Sequence, residues 1–118
     1  MGLALTVTIC AEASTINDNV YSKKQAKIGA ALYKTNCIAC HDKKYFRPVL
    51  KAWDGQPLGL LFSVMSAAMP EGDPGSLPLK DYVDILAYIL SLSRYPAGEN
   101  ALDHENGALD EITIARKQ

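Results

Sequence analysis

This sequence is short of the side chains that several common kinds of site require. It has two histidines and three cysteines, and only one pair of cysteines is closely spaced. A structural zinc site takes four ligands, usually from two such pairs, so the composition argues against one. The formal net charge is −1, and no basic cluster is interleaved with aromatic side chains, which argues against nucleic-acid binding. No apolar run is long enough to span a bilayer, so we expect no membrane-spanning segment in the mature chain.

The first thirteen residues are typical of a secretory signal. An apolar run is followed by Ala-x-Ala at residues 11–13 and then by a polar stretch, as at a signal-peptide cleavage site. We therefore expect residues 1–13 to be a signal-peptide remnant, without the usual basic start, and the mature protein to be periplasmic. Removing Cys10 with the signal leaves two cysteines and no disulfide framework. A buried N-terminal strand is the alternative.

The 118 residues suit one small domain with several helices. Helices are predicted at residues 22–34, where Ser22 suits the N-cap, at 58–68, and at 79–93, where apolar residues recur at helical spacing. Residues 35–51 and 69–78 contain proline and lack periodicity, which predicts loops. Residues 14–21 look loose, and residues 112–115 could form a short strand. We place the domain at 14–96 and a mostly acidic C-terminal tail at 97–118.

The strongest signal is the motif Cys-x-x-Cys-His, formed by Cys37, Cys40 and His41. A thioredoxin-like thiol pair would follow a strand in a βαβ unit, whereas this motif follows a predicted helix. With the adjacent histidine, the pattern is the attachment sequence of c-type haem. Two thiols at this spacing reach the two vinyl groups on one haem edge, and the imidazole becomes the proximal iron ligand. A thiol oxidoreductase with two free thiols remains an alternative.

The flanking residues resemble those of class I c-type cytochromes. Gly29 and Tyr33 precede Cys37 by eight and four residues, as in the N-terminal helix of that family. Residues 84–90 resemble its C-terminal helix, whose aromatic side chain packs against the backbone at the glycine. Glycine within a helix costs about 1 kcal/mol relative to alanine, and a close helix crossing would explain Gly29. The resemblance covers residues 22–96. It implies an all-α cytochrome c fold, with three to four short helices packed around one covalently bound haem c.

In this family the second axial ligand is usually a methionine in a loop after the middle helix. Met69 stands where a predicted helix ends, and residues 69–78 resemble the family's methionine loop. The resemblance therefore implies that His41 and Met69 ligate the iron. Met65 lies at helical spacing and is expected in the core, and His104, in the tail, is expected at the surface.

Two further residues are assigned to haem binding by the resemblance. Pro48 begins a segment similar to the loop whose carbonyl accepts the Nδ1 proton of the proximal histidine. Trp53 resembles the indole beside a haem propionate, although a lone tryptophan is also common in an ordinary core. Asp42 departs from the family, where glycine is common, and puts an acid near the exposed haem edge. Residues 53–98 are also similar to the cytochrome c subunits and domains that accompany quinoprotein (PQQ) dehydrogenases.

The resemblance implies a periplasmic one-electron carrier rather than an enzyme, because His/Met ligation fills both axial positions of the iron. Two alternatives keep the haem. The chain could be a fixed haem c subunit of a larger periplasmic dehydrogenase complex, with the tail as docking arm. It could also be a haem enzyme or gas sensor with a labile sixth ligand.

Charge is distributed unevenly along the chain. Residues 23–51 contain eight basic side chains against Asp42 alone, whereas residues 52–118 contain ten acidic side chains against four basic ones. We expect the lysines around the motif to ring the exposed haem edge and to steer the protein onto an acidic patch of its redox partner, a dehydrogenase or other donor and an oxidase or other acceptor. An ordinary solvated face would have the same lysines.

Overall fold

The computed structural model describes residues 14–37, 42 and 44–118, so the expected signal at residues 1–13 lies outside the described residues. The described part contains four α-helices, a 3₁₀ turn at Ala108–Glu111 and two short strands. The helices are α1 (Lys23–Asn36), α2 (Phe46–Ala52), α3 (Leu58–Ala68) and α4 (Leu79–Leu92), and the strands are β1 (Ser14–Thr15) and β2 (Ile112–Thr113). The predicted all-α class is confirmed, since the strands form only a short parallel pair.

The three predicted helices are confirmed, but the prediction of a loop throughout residues 35–51 is wrong. Residues Phe46–Ala52 form α2. Seven residues make about two turns, too few to show a helical repeat of apolar residues. Pro48 lies in the first turn, where its missing N–H removes no helical hydrogen bond. The predicted loop at residues 69–78 is confirmed.

The packing of α1 against α4 is the main contact between helices. A Cβ atom at Gly29 would overlap the backbone carbonyl of Asp84, so only glycine allows the helices to approach this closely. Further along α1, Tyr33 packs edge-to-face on Tyr88 of α4, with ring centroids 5.3 Å apart. The close crossing expected from Gly29 is therefore confirmed.

The segments on either side of the helices pack against each other. Ile16 and Ile114 are both fully buried, and β1 pairs with β2 in parallel. The prediction that residues 14–21 are loose is therefore wrong, whereas the short strand expected near 112–115 is confirmed at Ile112–Thr113. Gln25 of α1 holds the tail by a pair of hydrogen bonds with the backbone of Leu102, at 2.9 and 2.7 Å. The boundaries at 13/14 and 96/97 stay predictions.

Across the described residues, none of the helices combines the length and apolar character needed to cross a bilayer.

Candidate functional site

The motif is only partly within the described residues. Cys40 and His41 lie outside them, whereas Cys37, Met69, Pro48 and Trp53 lie inside. The geometry of the predicted site is therefore set by the chain on either side of residues 38–41.

Cys37 and Met69 line the same crevice. The first is the residue at which α1 ends, and the second is the residue at which α3 ends. The other lining residues come from α1, α2, α3, α4 and the loop after α3: Asn36, Phe46, Met65, Pro70, Glu71 and Ile85. Met65 is in the core, as expected, but it also reaches this crevice. The fold thus brings the first motif cysteine to two methionines that lie about thirty residues away in the sequence.

The environment of Cys37 does not favour thiol chemistry. Its backbone N–H donates to the Tyr33 carbonyl at 2.8 Å, which closes the last turn of α1. Burial raises the pKa of the Cys37 thiol. Disulfide exchange requires a thiolate, and redox-active cysteines have a lowered pKa. The thiol oxidoreductase alternative therefore loses support.

Tyr33 contacts the chain on both sides of the undescribed part of the motif. Its hydroxyl donates to the Asp42 carbonyl at 3.1 Å, and its own carbonyl accepts from Cys37. The ring is almost fully buried. Burial first, and then the neighbouring ionisable groups Cys37, Tyr88, Asp42 and Tyr45, raise the pKa of Tyr33 to about 12. A neutral hydroxyl at ordinary pH keeps this hydrogen bond intact.

The backbone of Met69 is held from two directions. Its N–H donates to the Met65 carbonyl at 3.0 Å, which ends α3. Its carbonyl accepts from the Tyr82 hydroxyl at 2.6 Å and from the Gly75 N–H at 3.2 Å. The Tyr82 oxygen in turn accepts from the Leu77 N–H at 3.3 Å. A side chain of α4 therefore fixes both ends of the Met69 loop.

Tyr82 is the site residue that sequence reasoning missed. The apolar repeat of α4 identifies it only as one more buried position, and it is 2% exposed. The available signal is its chemistry, because a hydroxyl on a fully buried helix face needs a partner, and the nearest chain outside α4 is the methionine loop.

The remaining predicted residues lie outside the set that lines the crevice. Pro48 is exposed in the first turn of α2, so its expected place in a loop is corrected. Trp53 is half-buried where α2 ends, in a turn that is hydrogen-bonded to the C-terminal tail. There the Gly55 N–H donates to the Ile114 carbonyl at 2.7 Å, and the Ile114 N–H donates back to Gln56 at 2.8 Å. The propionate role of Trp53 and the carbonyl role of Pro48 stay predictions.

His104 is partly exposed, in agreement with its expected surface position. Its ring stacks on Phe62, with centroids 6.1 Å apart. It is not among the described residues that line the crevice, so nothing in the structure favours it over Met69 as an iron ligand.

The side chains that line the crevice are of the chemical types that hold a covalently attached haem. Attachment through a thioether needs a cysteine at the edge of an apolar crevice, and Cys37 is there. A soft sulfur ligand for iron needs a methionine on a fixed backbone, and Met69 meets that condition. The lining is otherwise mostly apolar, and such a shell limits solvent access to a metal site.

The comparisons with known proteins agree with this geometry. The family model described as cytochrome c oxidase, cbb3-type, subunit III matches residues 24–89, which is more than half of the chain. The match begins in α1 and ends in α4, so it includes the motif and both walls of the crevice. No curated protein and no solved structure gives a significant match.

Proposed function

This chain belongs to the family described as cytochrome c oxidase, cbb3-type, subunit III, and from that premise we propose that it is a periplasmic one-electron carrier with His41 and Met69 as its axial iron ligands. It has a cytochrome c domain of the all-α fold, it holds haem c covalently, and it takes part in electron transport. The observation that supports the carrier role and the ligation by His41 and Met69 is the crevice that Cys37 and Met69 both line.

Each residue has a distinct task in this proposal. Haem c, when bound, supplies an iron that changes between the ferrous and ferric states. Cys37 and Cys40 would hold it by thioether bonds, and His41 and Met69 would bind the iron. A His/Met pair raises the reduction potential relative to two histidines. Tyr82 is a positioning residue, because it holds the Met69 carbonyl at 2.6 Å from outside the loop.

The first experiment is the visible to near-infrared spectrum of the oxidised, natively matured protein. We expect a low-spin haem with the weak far-red band that arises from a methionine sulfur on ferric iron. Met69→Ala should abolish this band, and Met65→Ala is the matched control because Met65 lines the same crevice. The band should survive in the control.

The outcomes separate the alternatives. Loss of the band in Met65→Ala alone would assign the ligand to Met65. A high-spin spectrum in the unmodified protein, with tight binding of carbon monoxide by the ferrous form, would favour a haem enzyme or gas sensor. The carrier proposal predicts weak binding of carbon monoxide.

The second candidate function is that of a fixed subunit in a larger complex. The family description itself names a subunit of an oxidase, and the narrower sequence resemblance is to subunits of quinoprotein dehydrogenases. Purification of the untagged protein from its native membranes and periplasm distinguishes the two candidates. A stable complex that survives size-exclusion chromatography favours the subunit, whereas a monomer in the periplasmic fraction favours the carrier. Mass spectrometry of that fraction should give an N-terminus at Ser14.

The proposed partners are redox proteins that present an acidic patch, among them a quinoprotein dehydrogenase as electron donor. The support is the excess of basic residues at positions 23–51. Such steering weakens as salt screens the charges, with a Debye length of about 8 Å at 0.15 M ionic strength. Stopped-flow electron transfer with the native partner should therefore slow as salt is raised. A rate that does not depend on ionic strength would remove the steering proposal.

A further inference from the structure

A basic cleft lies between α2, the end of α4 and the C-terminal tail. Its volume is about 470 Å³. Small-molecule sites typically have volumes of about 300–1,000 Å³. Five cationic side chains line it: Arg47, Lys51, Arg94, Arg116 and Lys117. These residues come from three separate parts of the sequence, so the fold, and not a local run of basic residues, brings them together.

Ser93 gives the cleft a buried polar group without a partner. Ser93 is 7% exposed and lines the cleft. Its backbone N–H donates to the Ile89 carbonyl at 3.2 Å, but its hydroxyl takes part in none of the side-chain hydrogen bonds among the described residues. Buried hydroxyls in folded proteins are nearly always paired, with protein, water or a ligand. This hydroxyl is therefore available to a molecule in the cleft.

Arg94 occupies a backbone position that favours glycine. Its φ is 64°, in the left-handed region. The hydrogen bonds from the Arg94 N–H to Ser91 and from the Tyr95 N–H to Leu90, at 3.0 and 3.1 Å, form the motif that usually ends a helix with glycine. An arginine held in this strained conformation points to a role for its side chain, since the backbone alone would prefer another residue.

The negative C-terminal ends of two helices neutralise only part of the positive charge of the cleft. α2 and α4 both end beside the cleft, and each helix C-terminus carries roughly half a negative charge, which a cation stabilises. Asp54 adds one carboxylate, 3.9 Å from Arg116 Nε. Against five cations, these groups leave a net positive charge of about three. The excess is what an anion of several charges would neutralise.

We propose that this cleft binds a phosphate-bearing anion, with Arg47, Arg94 and Arg116 as its charged partners and the Ser93 hydroxyl as a donor in the floor. The planar guanidinium group matches phosphate oxygens through two parallel N–H bonds, which favours arginine over lysine for this task. The phosphate could belong to a free oligophosphate or to the headgroup of an anionic lipid. The inference is independent of the electron-carrier proposal, because binding is measured without electron transfer.

The test is calorimetric titration of the natively matured, haem-loaded protein with inorganic tripolyphosphate at fixed low ionic strength. Arg94→Gly removes the charge while relieving the left-handed backbone, so it should fold at least as well as the unmodified protein. We expect it to weaken binding by about tenfold or more, because it removes a charge-assisted contact. Ser93→Ala should weaken binding severalfold.

Lys27→Gln is the matched control, because Lys27 is an exposed lysine of α1 that does not line the cleft. It should leave the affinity within about twofold. No binding by the unmodified protein would overturn the proposal. An equal loss of affinity in Lys27→Gln and Arg94→Gly would also overturn it, because that result means non-specific attraction to the basic side chains in general.

Co-sedimentation with vesicles distinguishes the two sources of phosphate. Binding to phosphatidylglycerol vesicles that Arg94→Gly loses and Lys27→Gln keeps would support a lipid headgroup as the ligand. Absence of vesicle binding, with the tripolyphosphate result as expected, would support a free phosphate compound.

Discussion

At the scale of single residues, the hydroxyl of Tyr82 determines how firmly Met69 is held. Among the described residues the Met69 carbonyl has two donors, Tyr82 and Gly75, of which Tyr82 belongs to a helix. In the proposed ligation, the Met69 sulfur binds the iron and the loop holds that sulfur in place. The hydrogen bond from Tyr82 would then couple the proposed ligand to α4, a largely buried helix.

Tyr82→Phe should loosen the ligand without emptying the core. Losing this hydroxyl leaves the Met69 carbonyl with Gly75 alone and the Leu77 N–H without its acceptor, at a cost of about 1–2 kcal/mol in the free energy of unfolding. We expect the far-red band to disappear at lower temperature and nearer neutral pH than in the unmodified protein. Near-infrared absorption during thermal and pH titrations measures this.

Tyr21→Phe is the control for Tyr82→Phe. Tyr21 is also buried and donates to a backbone carbonyl, that of Tyr95, at 2.5 Å. It does not line the crevice, so the variant should lose comparable stability and keep the band's pH and temperature profile. Equal effects of the two variants on the band would mean that Tyr82 acts only through general stability.

Much of the candidate site follows from residue identities, and the rest depends on contacts between distant residues. The motif chemistry predicts the haem through Cys37, and the resemblance of residues 69–78 to the family's methionine loop predicts Met69. Nothing local to the sequence shows that Met65 reaches the same crevice or that Tyr82 holds the loop. Both facts depend on how α3 and α4 are placed, which becomes apparent only in three dimensions.

At the scale of elements, long helices with a periodic apolar face are predictable and short ones are not. α4 has fourteen residues, and eight of them are buried. Its apolar residues therefore recur over enough turns for the helix to be recognised in the sequence. α2 has seven residues, of which only Leu50 is buried, and it contains a proline. Leu50 anchors it in the core, and Phe46 and Val49 pack partly buried against the same cluster, which is tertiary packing that leaves no periodic pattern in seven residues.

The crossing of α1 and α4 supports an element-scale prediction. Gly29→Ala should lower the free energy of unfolding by about 3 kcal/mol, because the new methyl group would overlap the Asp84 carbonyl and force the helices apart. This loss outweighs the gain of about 1 kcal/mol in helix propensity. Urea denaturation of the haem-loaded protein measures the difference.

Gly72→Ala is the matched control for Gly29→Ala. A Cβ atom at Gly72 meets nothing within 4 Å, and its φ is not positive. We expect unchanged stability or a gain of at most about 1 kcal/mol, from the smaller entropy of the unfolded chain. An unfolding curve of Gly29→Ala that coincides with that of Gly72→Ala would contradict the close crossing.

At the scale of the whole molecule, the two ends of the described chain pair with each other and pack against the hydrophobic core. Ile16 directly follows β1 and Ile114 directly follows β2, and both are fully buried where the two strands pair. Gln25 also donates a hydrogen bond to the backbone carbonyl of Leu102. Pairing between residues almost one hundred positions apart leaves no periodic signal, which is why residues 14–21 looked loose. The tail makes extensive contacts within its own chain, so the tail as docking arm gains no support from the fold.

The buried tyrosines should set an upper pH limit to the stability of the fold. Burial raises the pKa of Tyr21, Tyr33 and Tyr95, that of Tyr33 to about 12, from an ordinary value of 10.0. Between these two values the unfolded chain has lost the proton that the folded chain keeps. The free energy of unfolding should therefore be insensitive to these groups below about pH 9 and should fall as pH rises from about 10 to about 12.

Tyr33→Phe tests this limit directly. The variant removes the titrating hydroxyl with the largest shift, so its stability should decline less steeply with pH above pH 10. It also loses the bond to Asp42, which lowers stability by about 1 kcal/mol at every pH. Urea denaturation followed by far-ultraviolet circular dichroism from pH 7 to pH 12 separates the two effects. Curves of stability against pH that stay parallel above pH 10 would contradict a burial-raised pKa, whereas curves that run parallel below pH 9 and converge above pH 10 would show that the fold keeps Tyr33 neutral.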